Sequence, residues 1–214
     1  MSDSRWRLIG GIGLILAGLL ALVSLWFEVR LAGLFWGLLL TLGGLAFLGV
    51  MLSRREAWWA AFPAFPLLGV GALVLLGSLA PQATRYLGGV LVLGSIGVGF
   101  LVVYLQRREF WWAIIPAGTL FTLAVVSMAD AVLPANSGGW IFFAGLGLTF
   151  LALYVLPGPG GTRMTWPLYP AAILLVFAAL LFVGATALGR YLWPLALILI
   201  GLFLVYRALR PRRV

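Results

Sequence analysis

Few side chains in this sequence could do chemistry, and their types narrow the choice. The acids are Asp3, Glu28, Glu56, Glu109 and Asp130, and all fourteen basic residues are arginines. A general acid–base pair needs groups that change protonation near the working pH and stand within hydrogen-bond reach. Arginine stays protonated throughout that range, and the five acids are scattered. There is no Cys, His or Lys. That excludes disulfides, iron–sulfur clusters, Cys/His zinc sites, His-ligated haem, Schiff-base lysines and the phosphate-loop lysine. The hydroxyls of Thr41, Ser78, Thr119, Thr122, Ser127, Thr149 and Thr186 lie in apolar runs. Such groups usually bond back to their own helix. The expectation is a protein that is not an enzyme, with no catalytic residue, cofactor or metal.

The placement of the charges argues further. No charge falls deep inside an apolar run. Glu28 lies in a break between runs, and Asp130 lies near the end of one. Ion-coupled transporters and pumps keep ionisable groups near the membrane midplane, where ions must be handed on. The net charge of +9 would suit a nucleic-acid binder. The arginines, however, form short clusters between long apolar runs, which is the pattern of membrane topology.

The elements that carry these residues follow from the runs. Of 214 residues, 64% are apolar and 9% charged. A soluble domain is roughly half apolar and a quarter charged. A helix needs about 20 apolar residues to cross a bilayer core. Eight runs qualify: 6–27, 31–52, 57–80, 86–105, 110–133, 139–156, 164–188 and 191–209. They do not alternate as barrel strands would. The breaks between them are short, with 81–85 among them, so the chain reads as a single polytopic membrane domain over 1–214.

With the N-terminus in the cytoplasm, eleven arginines fall on that side: Arg5, Arg7, Arg54, Arg55, Arg107, Arg108, Arg163, Arg207, Arg210, Arg212 and Arg213. Only Arg30, Arg85 and Arg190 fall on the other. The positive-inside rule then places both termini in the cytoplasm. The first run is longer than a usual signal-peptide core and lacks a small-x-small cleavage site, so it reads as an uncleaved anchor.

A repeat of about 53 residues organises the chain. Arg54-Arg55-Glu56-Ala57-Trp58-Trp59, followed by Pro63, matches Arg107-Arg108-Glu109-Phe110-Trp111-Trp112, followed by Pro116. Arg163-Met164-Thr165-Trp166, followed by Pro167 and Pro170, is a looser third copy. The unit is a helical hairpin, and four of them read as parallel repeats at about 1–55, 56–108, 109–162 and 163–214. This is unlike the inverted repeats of many transporters.

Within the repeat, Trp58, Trp59, Trp111, Trp112 and Trp166 are expected at the membrane interface, where ring and N–H are both accommodated. Arg54, Arg55, Arg107 and Arg108 beside them would stop transfer and anchor the chain at lipid headgroups. Pro63, Pro66, Pro116, Pro167 and Pro170 are expected to fix a kink near the start of their helices. The pairs Gly33/Gly37 and Ser95/Gly99 provide small faces for close helix packing.

The run from Arg7, RLIGGIGLILAGLL, and the run from Arg190, RYLWPLALILIGLFLVYR, resemble the two halves of the bacterial LiaI/LiaF-type transmembrane hairpin. The resemblance implies a bacterial inner-membrane protein that inhibits or scaffolds a sensor kinase in envelope-stress signalling. The residues themselves point to a non-catalytic scaffold, accessory subunit or regulator. Its partners would be membrane lipids and another membrane protein or a second copy, and not nucleic acid. The competing expectation is a transporter or channel for a neutral or apolar small molecule, which needs no buried charge.

Overall fold

In a computed structural model, the described residues are 11, 15, 18, 29–54, 56–133, 138–156, 158, 164–186 and 189–209. They form α1 (Val29–Ser53), α2 (Ala61–Leu79), α3 (Pro81–Gln106), α4 (Ile114–Val132), α5 (Gly138–Val155), α6 (Leu168–Ala185) and α7 (Gly189–Leu209). Short 3-10 turns at Trp58–Ala60 and Trp111–Ala113 lead into α2 and α4. Six helices, α1 to α6, are long and apolar enough to cross a membrane. Helix is the form that satisfies every backbone group internally where no water is present. The chain is thus all-α with several helices able to span a membrane. The first expected run, 6–27, lies outside the described residues apart from three positions, as do Arg55, Arg163 and the arginines beyond 209.

Among the described elements, each helix packs substantially only on its neighbours in the chain, α1 on α2, α2 on α3, and so on. The contacts run antiparallel. Gly33 faces Ser78 while Gly44 faces Leu68, and Gly69 faces Ser95 while Gly99 faces Phe65. The result is a row of helices with two broad faces. Arg54 and Arg107 therefore share one end of the row. α7 touches α6 only sparsely, and its residues Leu195, Leu197, Leu202 and Phe203 are all exposed.

The breaks show why the motif repeats. Arg54 N–H donates to Val50 O, Ala57 N–H to Arg54 O and Ala60 N–H to Ala57 O, at 3.2, 3.0 and 3.0 Å. Arg107 to Val103, Phe110 to Arg107 and Ala113 to Phe110 repeat the series at 3.0, 3.0 and 3.0 Å. Ala60 and Ala113 are fully buried, so a larger residue would not fit where this turn tucks under the helices. These bonds make the same backbone corner in both places and satisfy helix-terminal groups left without intrahelical partners.

Two expectations change. The break placed at 81–85 is the first turn of α3. Pro81 is pre-set for a helix start and lacks only an N–H that would have had no acceptor there. Among its described residues, the run 164–188 is helical over Leu168–Ala185, with Pro167 as its cap. Pro63, Pro116 and Pro170 each take the third helical position, where the backbone donor has no intrahelical acceptor. Pro66 and Pro194 are the ones inside a helix.

Candidate functional site

The expected site residues gather at the arginine end of the row, in two layers. Each Trp-Trp pair is split by the 3-10 turn. The second residues point outward: Trp59, Trp112 and Trp166 are 51%, 42% and 42% exposed. Trp58 and Trp111 are half-buried between hairpins. Trp58 stacks on Phe62 at 6.0 Å and Phe110 at 4.8 Å, Phe62 on Phe100 at 5.2 Å, Phe100 on Trp112 at 6.4 Å, and Trp112 on Phe110 at 6.1 Å. These five rings close a circuit across α2, α3 and the turn before α4. Trp111 continues the line to Trp166 at 6.1 Å, and Trp166 meets Phe150 at 6.0 Å. Tilted and edge-on pairs like these favour the ring quadrupoles, at about 0.5–1.5 kcal/mol each beyond burial.

Below the rim, glycines let the helices approach. A β-carbon on Gly44 would lie 2.7 Å from Leu68 Cγ and 2.9 Å from the Ala64 carbonyl. On Gly97 it would lie 3.1 Å from Phe121 Cε1 and 3.3 Å from the Ala117 carbonyl, and on Gly147 it would lie 2.7 Å from Leu175 Cγ. One contact thus recurs wherever a helix runs through the arginine-end corner into the next. The small pairs read from the sequence pack as expected: Gly33 on Ser78, Gly37 on Leu75, Ser95 on Gly69 and Gly99 on Phe65.

The contact between α4 and α5 is built differently from that between α2 and α3. In α2/α3, Phe65 fills the space over Gly99, and Gly69 makes room for Ser95. In α4/α5 the equivalent places hold Gly118 against Thr149 and Thr122 against Gly145. Each threonine donates to the carbonyl four residues back in its own helix, Thr122 to Gly118 O and Thr149 to Gly145 O, both at 2.8 Å. Thr41 does the same to Gly37 O at 2.7 Å, and Thr119 to Ile115 O at 2.8 Å. With no ring at Gly118, a groove of about 670 Å³ remains. Its lining includes Tyr104, Gly118, Thr122, Trp140, Gly145 and Leu156.

At the arginine end of the groove, Tyr104 is 2% exposed and its hydroxyl has no hydrogen-bond partner among the described residues. A buried unpaired hydroxyl costs about 1–3 kcal/mol. The Arg108 guanidinium sits 4.6 Å over the Tyr104 ring. Arg107 pairs with Glu109 at 3.1 Å, both groups partly exposed. Arg108 has no carboxylate partner among the described residues.

No family model, curated protein or solved structure matches this chain. Its own features therefore carry the description: a multi-pass α-helical membrane protein without an evident catalytic or cofactor-binding constellation. The structure brings together Trp58, Trp59, Trp111, Trp112, Trp166, Arg107 and Arg108 at one rim and places Arg54 at the same end. Arg55 lies outside the described residues. Sequence reasoning missed Tyr104, Gly118 and the Thr122/Thr149 pair as a unit. The available signal was the repeat itself. Aligning the hairpins puts Tyr104 opposite Met51 and Gly118 opposite Phe65.

Proposed function

We propose that the chain is a non-catalytic membrane scaffold, accessory subunit or regulator that works by lateral packing with other membrane proteins. In this reading it has eight spans as four parallel hairpins, with both termini in the cytoplasm. The observation that supports it is the open row. Among the described residues, helices that pack substantially only on their chain neighbours leave two broad apolar faces, with Gly49, Gly184 and Gly201 facing open space where a partner helix can come close. The likeness of the end segments to LiaI/LiaF hairpins suggests envelope-stress signalling at the bacterial inner membrane as the setting. Passage of a neutral solute, the competing reading, calls for a polar-lined cavity. The α4/α5 groove is apolar, and its two threonines spend their protons on their own helices.

Copurification from native membranes in mild detergent tests the proposal. A stoichiometric membrane-protein partner is the expected result. A chain that purifies alone as a monomer and passes a neutral solute in liposomes overturns it.

A further inference from the structure

We propose that the groove between α4 and α5 is a binding site for one anionic phospholipid, with an acyl chain along the groove, an ester carbonyl on Tyr104 and the phosphate at Arg108. The site does not depend on whether the protein also packs with other membrane proteins.

Three independent features meet here. The first is the space. The lining runs along α5 from Trp140 to Leu156, just past the helix end, sixteen residue steps or about 24 Å. That is most of the hydrocarbon thickness of roughly 30 Å. A groove at this depth, lined by Leu101, Ile114, Phe121 and Leu148, faces hydrocarbon, so what fills it must be apolar and long.

The second is the donor. The Tyr104 O–H is buried and has no partner among the described residues, whereas buried polar groups nearly always find partners. It belongs to a groove-lining residue at the headgroup end. The groove's two threonines already donate to backbone carbonyls, which leaves Tyr104 as the hydroxyl able to donate to a ligand acceptor.

The third is the charge. Arg108 covers the Tyr104 ring and is exposed, while its neighbour Arg107 is held by Glu109. A cation held over the ring of a groove-lining residue, at the groove's arginine end, matches a phosphate at interface depth. The first two are not general properties of the repeat, whereas the arginine is, since Arg55 is the counterpart of Arg108. In the preceding hairpin Phe65 lies over Gly99 and Met51 stands in place of Tyr104.

The test is native mass spectrometry of the full-length chain in mild detergent, titrated with phosphatidylglycerol, with phosphatidylethanolamine of the same acyl chains, and with a membrane quinone. The wild type is expected to hold one phosphatidylglycerol about fivefold more tightly than phosphatidylethanolamine, the worth of one well-placed arginine. Arg108→Gln should abolish that preference and keep both lipids bound. Tyr104→Phe, which removes one oxygen, should weaken both about fivefold. The double variant Gly118→Phe/Thr149→Gly copies the Phe65/Gly99 pair into this hairpin and should lose retention of both. Its fold is checked by helical circular dichroism and size exclusion. Where it aggregates, Tyr104→Phe and Arg108→Gln decide. Unchanged retention in a folded groove-filled variant or in Tyr104→Phe, equal retention of the two lipids by the wild type, or preference for the quinone each overturns the assignment.

Discussion

The hairpins α2/α3 and α4/α5 start from nearly the same sequence and reach different interiors. Both begin at the same backbone corner, and both bury an alanine in the 3-10 turn, Ala60 in one and Ala113 in the other. Both pass a close glycine contact to the neighbouring helix. They part where their own two helices meet. One closes with a ring over a glycine, the other with two glycine–threonine contacts and an open groove. The backbone corner is thus the conserved feature of the repeat, and the helix contact is where a hairpin acquires its own character. In lipid this is affordable, because hydrocarbon fills what the side chains leave open and helix association rests on local fit.

The largest separation between the two should come from the inner tryptophans. Trp58 touches Phe62 and Phe110 in the closed ring circuit, while Trp111 stacks on Trp166 alone among the described rings. Trp58→Ala is expected to cost about 2–3 kcal/mol, the lower range of Trp truncation because the side chain is half-buried. That corresponds to a fall of about 4–12 °C in melting midpoint for a chain of this size. Trp111→Ala should cost less, and Trp59→Ala, at an exposed ring, least. Equal shifts for Trp58→Ala and Trp59→Ala would show that the circuit holds nothing together.

A second experiment exchanges the helix contacts. Gly69 occupies the place of Thr122. A β-carbon on it would lie 2.8 Å from Ser95 Cβ and 2.6 Å from the Leu91 carbonyl. Gly69→Thr alone should destabilise by about 2 kcal/mol through overpacking. Adding Ser95→Gly recreates the Thr122/Gly145 pair and should recover part of the loss. The Leu91 carbonyl is backbone and must still shift. Melting of the singles and the double in one detergent gives the coupling. Strict additivity would mean that the two positions do not share the contact.

Much of the architecture was readable in the residues. Apolar run length and the Arg-Arg-Glu breaks placed α1 to α5 within a few residues, and Thr41, Thr119, Thr122 and Thr149 bond back to their own helices as their surroundings dictated. Other features needed geometry. Nothing in Trp58-Trp59 tells which ring turns inward, because a 3-10 turn separates adjacent side chains by about 120° and the start of that turn is set by the corner before it. The Gly118/Thr149 exchange is invisible until the antiparallel register pairs residues thirty apart. Proline type alone also did not tell that Pro63, Pro116 and Pro170 each take the third helical position.

A smaller effect separates the glycines at the recurring corner. The Gly44 site is tighter against the Ala64 carbonyl, at 2.9 Å, than the Gly97 site is against Ala117, at 3.3 Å. The opposing group is backbone in both. Gly44→Ala should therefore cost about 1 kcal/mol more than Gly97→Ala, within the range for overpacking. Part of each loss is offset because alanine is the better helix former. A reversed order in paired melts would mean that these two seams differ in their freedom to shift apart.

The smallest difference is electrostatic. Arg107 and Glu109 form an ion pair at 3.1 Å with their side chains 37% and 64% exposed. The same positions in the preceding hairpin, Arg54 and Glu56, make no such bridge among the described residues. Water and salt screen an exposed pair, and holding two long side chains in place costs entropy. The gain is therefore on the order of 0.5 kcal/mol or less. Glu109→Gln and Glu56→Gln should both leave the melting midpoint nearly unchanged, with Glu109→Gln lower by about 1–2 °C in low salt and the gap closing as salt rises. A gap that persists in high salt would mean that Glu109 acts through something other than the pair. The Arg107 side chain, released from Glu109 but still beside Arg108, would then be the first place to look.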